Sequence, residues 1–155
     1  MSIATNIVQL GLAIPNLEPS SALFRPYTLH GQILTVSGQL PISAGKVIAV
    51  GSVPEEVSVE AARDAARLCV VNVLAAVKDA LCGDWERISA ITRIAGYVAT
   101  SRGFADAPSI INAASELLLR VFGDRGNHAR LALGVASLPF GAPVELEASF
   151  IIEPK

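Results

Sequence analysis

Three side chains with the capacity for acid, base or anion chemistry fall in one otherwise apolar stretch, Ala129 to Ile152, ARLALGVASLPFGAPVELEASFII. Arg130 is followed by Leu131, Ala132, Leu133, Gly134, Val135 and Ala136, a run with no other charge. A guanidinium on such a surface costs several kcal/mol to desolvate unless carboxylate or carbonyl groups take its protons. It must therefore find an anion. Two are open to it: a carboxylate of its own chain, Glu145 or Glu147, or the carboxylate of a small ligand, for which the planar fork of arginine is suited. Glu145 and Glu147 are two residues apart in an alternating run and share one strand face, opposite Val144, Leu146 and Ala148. That is either a plain polar outer face or a pair able to hold a water for general acid–base work.

Other chemistries find little support. His30 and His128 lie far apart, and neither has Cys, His or Asp at ligand spacing, so no metal site is expected. Cys69 and Cys82 fall within or at the end of an apolar helical pattern and read as buried thiols. No phosphate-cradling glycine loop and no GxSxG nucleophile turn is present.

The elements that must position these residues follow from periodicity. Ser2 to Leu12 has the spacing of a short amphipathic helix, an N-terminal arm stopped by Gly11 and Pro15. Ile33 to Gly38 reads as a buried strand ending at Ser37, and Lys46 to Val50 as its hairpin partner after a Ser43-Ala44-Gly45 turn. Ser58 caps a long helix with a narrow alanine-rich face, through Ala62, Ala65, Ala66, Cys69 and Val73 to Gly83. Ile88 to Ala99 is a third strand, in which Gly96 marks a weak point or a close approach. Asp106 caps a second helix with Pro108 in its first turn, ending at Gly123. The Ala129–Ile152 stretch then reads as a final strand pair joined by a turn holding Pro139, Gly141 and Pro143.

The order is two strands, helix, strand, helix, two strands, which one mixed sheet with both helices on one face satisfies. At 155 residues the chain is the size of one domain. Apolar residues make up 52% and charged ones 17%, against about 25% charged in typical soluble domains. That surplus points to a subunit interface on the uncovered sheet face. With no run of about 18 apolar residues and no basic leader, the expectation is a cytoplasmic protein without membrane contact. A net charge of −2 and a pI near 5.6 disfavour nucleic acid as a partner.

The segments VSGQLP at 36–41 and ARLALGVASLPFGAPVELEA at 129–148 resemble the RidA/YjgF family of reactive-intermediate deaminases, formerly labelled L-PSP endoribonucleases. The resemblance runs from about residue 20 to the end and leaves 1–19 as an N-terminal extension. It implies a chorismate-mutase-like α+β domain over 20–155, and a homotrimer whose sheets form a central barrel with clefts between subunits. It also implies hydrolysis of 2-imino and enamino acids to 2-oxo acids and ammonia, without metal or cofactor, and small carboxylate ligands such as 2-imino or 2-oxo acids. The family's carboxylate-binding arginine matches Arg130, its water-positioning glutamate Glu145, its helix asparagine Asn112 and its motif serine Ser37. On these matches Arg130 and Glu145 are the catalytic residues.

Three departures stand out. The family's motif tyrosine falls on Phe24, with Tyr27 close by. The residue two after the arginine, commonly cysteine, is Ala132, whose backbone N–H is still available to a carboxylate. Gly126-Asn127-His128 replaces a proline-rich approach and makes His128 a candidate for the cleft wall. These changes keep a second reading open, that of a non-catalytic carboxylate-binding or regulatory protein of the same fold.

Overall fold

A computed structural model describes residues 2–18 and 23–154. Among the described residues three α-helices, α1 (Ile3–Gln9), α2 (Val59–Ala80) and α3 (Ala107–Phe122), accompany seven strands. These are β1 (Tyr27–His30), β2 (Ile33–Gln39), β3 (Ile42–Ser43), β4 (Lys46–Val47), β5 (Ile88–Ala99), β6 (Ala129–Val135) and β7 (Val144–Ile152). The main sheet has the order β1-β2-β7-β5-β6, with β3 and β4 forming a separate small hairpin. Among the described strands only β5 and β6 run parallel, so the fold is α+β with a mixed sheet, as the element order predicts.

The two long helices form where the sequence places them. Ser58 Oγ accepts from the Ala61 N–H at 3.1 Å and starts α2. Asp106 stands at the N-terminus of α3 without a side-chain bond, and there its carbonyl accepts from Ser109 instead. Gly123, at φ 59°, ends α3. Both helices pack on the sheet face that carries Val144, Leu146, Phe150 and Ile152 of β7 and Ile94 and Val98 of β5, all fully or almost fully buried. α1 adds Ile3 and Ile7 to the same core, and the Asn6 side chain donates to the Val121 carbonyl at 2.9 Å. No helix among the described residues is long and apolar enough to cross a membrane.

Strand pairing departs from the sequence reading in three places. β2 does not pair with Lys46–Val50: its partners are β1 and β7, while β4 pairs with β3 across the Ala44-Gly45 turn. The turn was legible, but its two strands are only two residues long each. β1 has no counterpart among the expected strands, because YTLH carries no apolar run to mark it and is mostly exposed. Nor do β6 and β7 form a hairpin. β5 lies between them, parallel to β6 and antiparallel to β7. The Pro139-Phe140-Gly141 segment is a 3-10 turn in a connection that passes over β5, with Phe140 at φ 57° and exposed. Cys82 also differs from expectation. Cys69 is buried, but Cys82 is exposed at φ 52°, beyond the last turn of α2.

α3 sits on β5 through a close approach at Gly96. A Cβ there would stand 2.5 Å from Ile111 Cδ1 and 2.8 Å from Ile111 Cγ2. Ile111 is fully buried, and its β-branch leaves one strongly preferred χ1 in a helix, so it has little room to retreat. Gly96→Ala is therefore expected to lower unfolding stability by about 1–3 kcal/mol, the cost of an overpacked core. Urea unfolding checks this, and the loss should shrink when Ile111→Ala opens the space.

Candidate active site

β6 is an edge strand, and its register with β5 determines where Arg130 points. Arg130 stands opposite the buried Ile94, and Ala132 opposite Gly96, so both lie on the helix-bearing face. There the exposed guanidinium meets α3. Its Nη1 donates to Asn112 Oδ1 at 2.7 Å and to Ser115 Oγ at 3.3 Å. Ser115 Oγ lies 3.0 Å from His128 Nε2, and His128 Nδ1 lies 2.6 Å from the Gly126 carbonyl. Arg130 has no carboxylate partner among the described residues, and its Nε and Nη2 make no hydrogen bond there. The intrachain ion pair with Glu145 or Glu147 is not formed, because β5 lies between the strands and both glutamates face the other side of the sheet, where Glu147 pairs with Arg93 at 2.8 Å.

Glu145 lies elsewhere. Opposite Tyr97 in the β5 register, it belongs with Arg93 and Glu147 to the sheet face that no helix covers. Between Val36 and Gln39, β2 has one residue more than β7, a bulge at Ser37-Gly38. The Glu145 carboxylate fills the place a side chain at position 38 would occupy. No ion pair or hydrogen bond holds it among the described residues. Burial pushes its pKa up, and the like charge of Glu147 pushes it further the same way. A carboxyl raised from its ordinary range is nearer to what general acid–base work at neutral pH requires.

The remaining candidates divide between these two places. Ser37, on the bulge, donates its hydroxyl to the Arg25 carbonyl at 2.6 Å and its N–H bonds the Pro26 carbonyl, which is the strand-end role of a serine. Phe24 is 67% exposed. With Gly38, Gln39, Leu40, Asn72 and Leu17 it lines a cavity of about 610 Å³ between β2, α2 and the N-terminal segment. Tyr27 takes no part in either group. Its hydroxyl donates to Asp79 on α2 at 2.8 Å, and burial together with this carboxylate raises its pKa. Asn112 and His128 join Arg130, whereas Glu145 does not: within one chain β5 separates the two strands and the residues face opposite ways. Ser115 and Gly38 escaped the sequence reading. Ser115 was findable, since it stands three residues after Asn112 and so on the same helix face. Among the described residues no group of His, Cys, Asp and Glu is arranged to hold a metal ion.

A mixed sheet with two long helices packed on one face makes this an α+β protein. The chain belongs to the YjgF family: the model described as "YjgF/chorismate mutase-like, putative endoribonuclease" matches residues 4–146. "Protein TCP17" of Trypanosoma cruzi is 36% identical over 147 residues, covering 94% of this chain and 91% of that one. The crystal structure of Atu1372 from Agrobacterium tumefaciens is 42% identical with a TM-score of 0.91, covering 98% of this chain and 94% of that one. A Shewanella oneidensis protein, described as a "putative endoribonuclease", is 28% identical with a TM-score of 0.91, covering 98% and 100%.

The raised pKa of Glu145 has a signed consequence for stability. The folded chain holds this proton more tightly than the unfolded one, so stability is fullest at acid pH and falls as pH rises through the ordinary carboxylate range to the raised folded value. Glu145→Gln removes that loss. Relative to wild type it should be more stable at neutral pH, with the advantage vanishing on acidification below pH ~4. Paired urea melts across this range test it, and a pH-independent difference would contradict it.

Proposed function

We propose that the chain hydrolyses 2-imino and enamino acids to 2-oxo acids and ammonia, in clefts between the subunits of a homotrimer. The observation that carries this reading is Arg130. Its Nη1 is held by Asn112 and Ser115, while Nε and Nη2 form an unengaged edge of the guanidinium among the described residues. That edge has the geometry for a carboxylate in the bidentate mode.

The second catalytic group comes from another subunit. In one chain Arg130 and Glu145 are two strand spacings apart across the sheet, about 10 Å, and a further three residues apart along it, about 10 Å more, on opposite sheet faces. A neighbouring copy that covers the open face brings its Glu145 to the ligand. There Glu145 takes a proton from a water, whose oxygen attacks the imine carbon. The C=N electron pair moves to nitrogen, which gains a proton. Collapse of the resulting carbinolamine expels ammonia and leaves the 2-oxo acid. Orientation and electrostatics suffice for a reaction of this kind, because no redox step or strong base is required.

One observation favours the non-catalytic reading. Phe24 stands where the family's tyrosine falls and has no hydroxyl, and the hydroxyl of Tyr27 is committed to Asp79. On that reading the same arginine binds a small carboxylate without turnover.

A threonine dehydratase supplying 2-iminobutanoate, with 2-oxobutanoate formation followed against the uncatalysed rate, separates the two. The deaminase reading expects acceleration by the wild type, loss to near background in Arg130→Ala, and loss of about 10²-fold or more in Glu145→Gln. Calorimetric binding of 2-oxobutanoate with no acceleration selects the binding protein, and neither effect rejects both. Gly38→Ala supplies a further check. The added methyl displaces only the flexible end of Glu145, so turnover should fall while Arg130-dependent binding of 2-oxobutanoate persists.

A further inference from the structure

We propose that Ser115 and His128 are positioning residues that lock Arg130 in its ligand-binding pose through a hydrogen-bond relay of fixed direction. The inference rests on the reading of Arg130 as a carboxylate anchor and goes beyond it.

The direction follows from the partners. The Gly126 carbonyl, 2.6 Å from His128 Nδ1, can only accept, so Nδ1 carries the proton. In the neutral ring Nε2 is then an acceptor, and Ser115 Oγ at 3.0 Å donates to it. With its hydroxyl proton committed, the Ser115 oxygen turns its lone pairs to Arg130 Nη1 at 3.3 Å. Asn112 Oδ1 takes the other Nη1 proton at 2.7 Å. Both protons of Nη1 are thereby assigned, and the opposite edge of the guanidinium is directed away from α3.

The relay is anchored in the backbone. Gly126 is buried in the 3-10 turn Gly123–Gly126, pressed so closely on α3 that a Cβ would stand 2.8 Å from the Leu118 carbonyl oxygen. Its own carbonyl is thus fixed relative to the helix that carries Asn112 and Ser115. His128 and Arg130 are two residues apart where β6 begins, and both turn toward that helix. A flexible arginine is in this way ordered before a ligand arrives, which lowers the entropy lost on binding.

Two measurements test this. In ligand-free protein, the Arg130 Nη nitrogen signals, assigned by their disappearance in Arg130→Lys, should show hindered rotation in the wild type and in Ser115→Thr. Rotation should become free in Ser115→Ala and His128→Phe. In the imine assay, Ser115→Ala and His128→Phe should each raise KM about tenfold with kcat within about twofold of wild type, because Glu145 is untouched. The double variant should add little to either single one, and Ser115→Thr should restore the wild-type KM. Unchanged Arg130 rotation in both Ser115→Ala and His128→Phe overturns the relay whatever the activity. Hindered rotation lost on substitution, in a wild type that neither binds nor turns over a 2-oxo or 2-imino acid, supports the relay and rejects the functional reading instead.

Discussion

The seating of α3 on β5 is the constraint on which the candidate site depends. Gly96 lets Ile111 approach the strand directly, and Asn112 and Ser115 follow Ile111 by one and four residues. β6 is registered against the same stretch of β5, with Arg130 opposite Ile94, two residues before Gly96. One close contact therefore sets both sides of the Arg130–Asn112 distance. A side chain at position 96 would lift the helix from the sheet, and the arginine would lose its acceptors before it lost its own place in the strand.

Much of the fold was legible because its strongest signals are local. The three- and four-residue spacing of α2 and α3, and the strict alternation along β7, require nothing beyond their own residues. What escaped was pairing. A run such as Ala129 to Val135 looks the same whether it joins the next strand or the previous one. A turn rich in proline and glycine suggested a hairpin where the chain in fact crosses over β5. The crossover through α3 makes β5 and β6 parallel and sends β7 to the far side of β5, a non-local outcome that periodicity does not encode.

The site was legible to a similar depth. A lone arginine in an apolar run announces that it needs an anion or strong acceptors, and Arg130 has both an amide and a hydroxyl beside it. Which of those groups would meet it depends on the parallel pairing and on the turn before β6, so Ser115 could be inferred only after Asn112 was placed. Tyr27 illustrates the opposite case. Its chemistry suggests a site residue, yet β1 delivers its hydroxyl to Asp79 on α2, where it ties an edge strand to the helix layer.

The two glutamates of β7 show how one alternating pattern yields two different groups. Side by side on an uncovered face, Glu145 and Glu147 repel each other, and a single cation can satisfy only one of them well. Arg93, on the neighbouring strand and opposite Ser149, reaches Glu147. Glu145 is left without a counter-ion among the described residues, against the bare backbone of Gly38. The bulge in β2 makes room for its carboxylate, and the surrounding burial keeps its pKa raised. Sequence alternation made the pair equivalent. The neighbouring strands make one an ion-pair partner and leave the other free to exchange a proton.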